Sequence, residues 1–175
     1  MSSLRCFGNN QYGIQTLKTE IRSLLARDKQ SLMDLLRDTP EFSPADLAVA
    51  EEVCDCYLKE SFKSGYHIFV LDRDSSIPGY ICYGPTPITE GTWDIYWIAV
   101  AKELQGKGIG ATLLTVAENK IKQLEGRMML AETSSIPEYD KTRRFYQSHG
   151  YEVVAQIADF YVPGDDKIIF QKRLK

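Results

Sequence analysis

The stretch QGKGIGATLL, residues 105–114, constrains this chain more than any other, because it places three glycines directly before an apolar helical pattern. Glycine loses more conformational freedom on folding than any other residue, so such a cluster indicates that something approaches the bare backbone. The N-terminus of a helix presents unpaired N–H groups and partial positive charge, which together suit a phosphate. The run therefore predicts a phosphate-binding loop that opens a helix.

Length and composition predict one domain over residues 1–175, with residues 1–15 as a loose N-terminal arm. The formal net charge of −3 argues against a nucleic-acid partner. The sequence has neither a leader-like apolar segment nor a membrane-spanning run, so we expect a cytoplasmic protein with no membrane partner. The four cysteines are scattered, and no second pair or suitably spaced histidine completes a metal site.

Hydrophobic periodicity predicts a mixed α/β chain in the order strand, two helices, three strands, helix, strand, helix, two strands. A first strand is expected near residues 17–25. Asp28 would cap the first helix, and Ser43 with Pro44 would begin the second. The three following strands are YHIFVLD, GYICYG and TWDIYWIAV. The helix after the glycines would bury Leu113, Leu114, Ala117, Ile121 and Leu124 and close at Gly126.

Three interpretations of the glycine run compete. A Walker A loop requires a hydroxyl residue after the lysine, and Lys107 is followed by Gly108 and Ile109. A dinucleotide fingerprint is matched literally by Gly106, Gly108 and Ala111, but five residues separate the preceding strand from the first glycine, and only one crossover follows. A glycine turn without a ligand is the third interpretation.

A fourth pattern fits better. Gln105-x-x-Gly108-x-Gly110 is similar to the signature of the GNAT N-acetyltransferase superfamily, and RRFYQSHGY resembles that family's later helix motif. The resemblance covers about residues 66–174. It implies a single-domain α/β (α+β) fold, with a mixed, mostly antiparallel, twisted sheet of about seven strands and about four helices. Where the family often has an asparagine and a small residue before the tyrosine, this chain has Tyr139 and Thr142.

The resemblance implies acetyl-CoA as the cofactor, with coenzyme A as the product. Its pyrophosphate would lie on the backbone amides of the glycine loop, and its pantetheine arm would pair with the preceding strand as an extra strand does. The implied cofactor-binding residues are Ile98, Ala99, Val100, Gln105, Gly106, Lys107, Gly108, Ile109 and Gly110.

Acetyl transfer to an amine requires a base, because a free alkylamine has a pKa near 10.4. Asp94, in an aromatic stretch six residues before Val100, matches the strand carboxylate that some members use. Glu132, at the end of RMMLAET, is a second candidate, since the two strands splay apart in this family. Tyr146 would protonate the thiolate leaving group.

The predicted reaction is direct attack of a primary amine on acetyl-CoA in a ternary complex. An alternative is a non-catalytic acyl-CoA-binding or regulatory module on the same fold. The acceptor remains open between a small-molecule amine and a protein amine. An aromatic wall (Trp93, Tyr96, Trp97, Tyr139 and Tyr161) beside a carboxylate would suit a cation. A homodimer is possible by analogy with the family.

Overall fold

The computed structural model describes residues 19–174. Seven strands form one sheet in the order β1-β2-β3-β4-β5-β7-β6, and every neighbouring pair is antiparallel except β4 with β5. The strands are β1 (Thr19–Ser23), β2 (His67–Arg73), β3 (Ser76–Pro85), β4 (Thr92–Val100), β5 (Met128–Ser134), β6 (Glu152–Val162) and β7 (Asp165–Arg173). The helices are α1 (Lys29–Arg37), α2 (Pro44–Glu60), α3 (Ile109–Gln123) and α4 (Asp140–Ser148).

The predicted fold class and order of elements are confirmed. The strand expected at residues 17–25 begins at Thr19, with Leu17 and Lys18 outside the described residues, as is the predicted N-terminal arm. No helix within residues 19–174 is long and apolar enough to cross a membrane.

Helix α2 begins as the sequence predicts. Ser43 accepts a hydrogen bond from the Asp46 N–H, and the Asp46 carboxylate accepts from the Ser43 N–H, which completes a capping box ahead of Pro44. Asp28 behaves differently: it precedes α1, but its carboxylate accepts from the Leu25 N–H and from Arg22 instead of capping the helix. The Asp28 side chain therefore caps the short 3-10 turn at 26–28 and does not cap α1.

Two apolar clusters cover the two faces of the sheet. Helices α1 and α2 pack on one face, around Leu32, Leu36 and Tyr57, and α3 packs on the other, around Leu113, Leu114 and Ile121. The expectation that Leu124 belongs to this apolar face was wrong, because α3 ends at Gln123 and the Leu124 side chain is 46% exposed. After the end of α3, Glu125 adopts a left-handed backbone conformation, with φ of 60°. Glycine follows at position 126 because a Cβ there would clash with Ile121.

The sheet opens at one point. Strands β4 and β5 are paired only from Thr92–Ile95 against Met128–Ala131, although β4 runs on to Val100 and β5 to Ser134. On its other side β4 has a bulge at Tyr96, because Cys82 pairs with Trp97 and the next residue, Tyr83, pairs with Ile95. Bulges bend the strand that carries them. The carboxyl-terminal halves of β4 and β5 thus separate and leave a cleft in the middle of the sheet.

Candidate active site

The glycine loop has the backbone that its sequence predicts. Gly106 and Gly108 have φ of 74° and 81°, in the left-handed region that residues with a Cβ rarely adopt. A Cβ built at either position meets no atom within 4 Å, so it is the backbone angle that calls for glycine there. At Gly110 the reason is packing, since a Cβ would lie 3.3 Å from the ring of Phe145 on α4.

The amides of this loop are free to bind an anion. The first backbone bond of α3 is donated by Thr112 to Gly108, and within residues 19–174 the N–H groups of 106–111 have no backbone acceptor. A groove of about 610 Å³ passes this loop and is bounded on its far side by α4. Its lining includes Ile98, Val100, Gln105, Gly106, Gly108, Ile109, Gly110, Lys141, Phe145 and His149. The groove therefore offers N–H donors at a helix N-terminus to an extended ligand.

Two of the predicted cofactor-binding residues hold or flank the loop. The Gln105 side chain donates to the carbonyl of Val100 across 3.2 Å, which ties the loop to the end of β4. Lys107 is exposed and lies in a neighbouring recess with Arg73 and Thr112, outside the groove lining. Its charge is near the loop, but its side chain does not form the groove wall.

The groove continues into the cleft between β4 and β5. Ile98, Val100, Gln105 and Thr142 line both spaces, and Ala99 lines the cleft. Because β5 does not pair with β4 beyond Ile95, residues 96–100 present an open strand edge there. Such an edge can hydrogen-bond an extended amide-containing chain.

Tyr146 lines the cleft and is almost fully buried. Its side chain is 4% exposed, and no hydrogen-bond partner for its hydroxyl is found within residues 19–174. Burial raises the pKa of Tyr146 well above the ordinary value for a phenol. The hydroxyl therefore stays protonated at neutral pH and is available as a proton donor.

The two candidate carboxylates have different surroundings. Glu132 lines the cleft and forms an ion pair with Lys167, with 2.6 Å between Oε2 and Nζ. Asp94 accepts a 2.6 Å hydrogen bond from the hydroxyl of Thr86 and is not among the residues that line the cleft. The structure thus brings Glu132 and Tyr146 together at the cleft and places Asp94 near the start of β4.

The side of the cleft next to α2 is acidic and aromatic. Tyr139 reaches across from the turn before α4, and its hydroxyl donates to the carbonyl of Glu41. Burial raises the pKa of Tyr139, with further contributions from Asp46 and Glu41. Burial, followed by the charge of Asp94, raises the pKa of Tyr96 to about 12. Tyr96 and Tyr139 line the cleft together with Trp97, Phe42 and Glu132.

Only part of the expected aromatic wall lines the cleft. Trp93 is 7% exposed and packs in the α3 core, with its ring edge-on to His67. Tyr161 is 45% exposed on β6, and its partial burial, followed by the charge of Glu132, raises its pKa. Tyr96, Trp97 and Tyr139 are the members of the wall that line the cleft.

Sequence reasoning missed part of the groove wall on α4. Phe145 and His149 contact each other, with ring centroids 4.5 Å apart, and both line the groove with Lys141. The sequence does contain a signal for this wall: positions 141, 145 and 149 are four residues apart, and residues at that spacing lie on the same face of a helix. Arg143 instead binds the carbonyls of Ser134 and Ile136, so it fastens α4 to the end of β5.

The mixed seven-stranded sheet with its four helices is the fold of an acetyltransferase. The family model of the acetyltransferase (GNAT) domain matches residues 64–153. The chain belongs to this family and is an acetyltransferase enzyme.

Two solved structures share the fold, and a further relative is similar in sequence. One relative is a GNAT-family acetyltransferase from Desulfovibrio desulfuricans, whose crystal structure superposes on this chain with a TM-score of 0.88. The two sequences are 39% identical, and the match covers 90% of this chain and 100% of the other. An uncharacterised N-acetyltransferase of Methanocaldococcus jannaschii is 28% identical over 76% of this chain and 89% of its own. The PaiA N-acetyltransferase of Thermoplasma acidophilum, solved with coenzyme A, is 19% identical over 90% of this chain and 99% of its own, with a TM-score of 0.70.

Proposed function

We propose that this protein is an acetyl-CoA-dependent N-acetyltransferase that transfers acetyl to a primary amine by direct attack within a ternary complex. The observation that carries the proposal is the continuity of two spaces. The groove at the free amides of Gly106–Ala111 opens, past Ile98 and Val100, into a cleft that holds both Glu132 and Tyr146. A cofactor held by the groove would therefore deliver its reactive end to groups able to move protons.

The loop would bind the cofactor through its diphosphate, since free amides and the N-terminus of α3 both favour anions. The open edge of β4, from Ile98 to Val100, would pair with the amides of the pantetheine arm. Lys107 and Lys141 would add positive charge near the phosphates. The bound coenzyme A of the Thermoplasma relative supports this choice of cofactor.

In the proposed reaction the acceptor ammonium first gives one proton to a carboxylate, directly or through water, and the free nitrogen then attacks the thioester carbonyl. The nitrogen loses its second proton by the same route to solvent as the C–S bond breaks. Glu132 is the favoured base because it lines the cleft, and Asp94 is the second candidate. Tyr146 would give its proton to the departing thiolate, and solvent would return it. A backbone N–H near Ile98 or Ala99 would stabilise the oxyanion.

The acceptor would be bound as a cation before it loses its proton. The carboxylates of Glu41, Asp46 and Glu132 lie around the same cleft as Tyr96 and Tyr139, and such a mixture of carboxylates and rings attracts ammonium groups. Both a small amine and a protein amine would meet this requirement.

The alternative function, an acyl-CoA-binding module without catalysis, requires the groove but not the cleft residues. A buried tyrosine hydroxyl and a carboxylate facing one cleft favour the enzyme over the module. A thiol-release assay with acetyl-CoA and a panel of primary amines tests the choice. We expect coenzyme A release that depends on a cationic amine, whereas acetyl-CoA binding without turnover across the panel would favour the module.

A further inference from the structure

The side chain of Thr133, the sixth residue of β5, is 4% exposed. Its Oγ1 is one of four buried side-chain polar atoms that have no hydrogen-bond partner in the described part of the chain. Burying a hydroxyl without a partner costs free energy, so each such atom calls for an explanation.

Thr133 differs from the other three in its position. Thr133 lines the cleft together with Tyr146, Ile98 and Glu132. The other unpartnered atoms are Nδ1 of His67 and the hydroxyls of Tyr80 and Tyr83, and none of these residues lines the cleft. A ligand in the cleft therefore lies next to Thr133 and next to none of the other three residues.

The alternation of β5 indicates which part of a ligand Thr133 faces. Met129 and Ala131 belong to the apolar cluster on the α3 side of the sheet, which also contains Tyr146, and Thr133 continues this row two residues further along. Glu132 points to the other face, where it meets Lys167. Thr133 is thus on the Tyr146 side of the cleft, while Glu132 is on the acceptor side.

We propose that the Thr133 hydroxyl donates a hydrogen bond to the thioester end of bound acetyl-CoA and is a cofactor-binding residue of this enzyme. This inference rests on the proposed function. Rotation about χ1 exchanges the hydroxyl and the methyl between staggered positions, so the hydroxyl turns toward a ligand without any change of backbone. Binding then satisfies a hydroxyl that the free protein leaves unpaired.

The test compares Thr133→Val, which keeps the shape and removes the hydroxyl, with Thr133→Ser, which keeps the hydroxyl. Calorimetric titration with acetyl-CoA in the absence of acceptor gives the affinity, and urea unfolding of the free proteins gives their stability. We expect the valine variant to bind acetyl-CoA about tenfold more weakly, the loss of one well-formed hydrogen bond, and the serine variant to bind like the wild type.

The urea midpoint separates this role from a structural one. The valine variant of the free protein should be as stable as the wild type or more so, because it removes an unpaired buried hydroxyl. A valine variant with wild-type affinity, or one whose free form is clearly destabilised, overturns the inference. A wild-type protein that binds no acetyl-CoA would instead refute the proposed function itself, and this inference with it.

Discussion

The ammonium of Lys167 lies 2.6 Å from the carboxylate of Glu132 and 3.9 Å from the centroid of the Phe160 ring. Lys167 is mostly buried, at 14% exposure, whereas Glu132 is 48% exposed and lines the cleft. The lysine therefore holds Glu132 in place from β7 and leaves the rest of the carboxylate accessible to an acceptor. Within residues 19–174, Asp94 has no such arrangement: its carboxylate accepts a hydrogen bond from the hydroxyl of Thr86.

Replacement of the proposed base should slow the reaction. We expect Glu132→Gln to lower kcat/KM by about 10²-fold or more at neutral pH, because the proposed base that takes the proton of the acceptor ammonium is then missing. The deficit should shrink as pH rises toward the pKa of the amine, near 10.4, since the acceptor then deprotonates in solution. A pH–rate profile measures both effects.

Asp94→Asn is the matched control, because asparagine keeps an oxygen that can accept from Thr86. It should cost far less activity than Glu132→Gln over the whole pH range. A large loss in Asp94→Asn together with normal turnover in Glu132→Gln would transfer the role of base to Asp94.

Removal of the proposed proton donor should affect turnover and spare cofactor binding. We expect Tyr146→Phe to lower kcat by about 10²-fold or more, because the thiolate then leaves without a proton. The affinity for coenzyme A, measured by calorimetry, should stay close to that of the wild type.

Tyr151→Phe is the comparison for Tyr146→Phe, since the buried Tyr151 ring lies 5.4 Å from that of Tyr146 and its hydroxyl donates to Glu118. It should lower stability and leave kcat largely unchanged. Equal kcat values for the wild type and Tyr146→Phe would remove Tyr146 from the chemistry.

The glycine loop can be tested against another glycine with the same backbone. Gly108 and Gly164 have φ of 81° and 87°, and a Cβ at either position meets no atom within 4 Å. An alanine at each should therefore lower the free energy of unfolding by a similar amount, about 1 kcal/mol. We expect only Gly108→Ala to weaken coenzyme A binding as well, by about tenfold. Equal affinity in the two variants would separate the loop from the cofactor.

The stability of the protein should fall at mildly acidic pH because of His67. Burial, with a smaller contribution from the charge of Lys120, lowers the pKa of His67 below its ordinary value near 6.5. The unfolded state then binds the proton more readily than the folded state. Stability contributed by neutral His67 is thus complete above about pH 6.5 and declines as pH falls below it.

Urea unfolding between pH 7.5 and 5 of the wild type and His67→Phe measures this contribution. The variant should lose the part of the pH dependence that comes from His67, while His149→Gln should keep it. A wild-type unfolding free energy with the same pH dependence as that of His67→Phe would contradict the assignment.

The sequence predicts the elements well because each carries its own local signal. The capping box at Ser43 and the glycine run at 106–110 lie where the structure has helix starts, and the three strands that follow α2 lie where the sequence predicts them. At Asp28 a tertiary contact overrides the prediction, because its carboxylate pairs with Arg22 instead of capping α1. Leu124 fits the apolar pattern of α3, but the helix ends one residue before it.

The cleft was less predictable, because its walls come from segments that are distant in sequence. No local pattern indicates that Tyr139 contacts Glu41, 98 positions earlier in the chain, or that Lys167 pairs with Glu132. Trp93 and Trp97 look equivalent in the sequence. The bulge at Tyr96 shifts the alternation of side chains along β4. Trp93 therefore packs on the α3 face of the sheet, whereas Trp97 packs on the opposite face and lines the cleft.

The most direct test of the central claim is a calorimetric titration of the purified protein with coenzyme A and, separately, with a nicotinamide dinucleotide. If the free amides before α3 bind the diphosphate of the proposed cofactor, coenzyme A should bind at one site per chain and the Gly108→Ala variant should bind it more weakly. Saturable binding of the dinucleotide, with no heat from coenzyme A, would contradict the account.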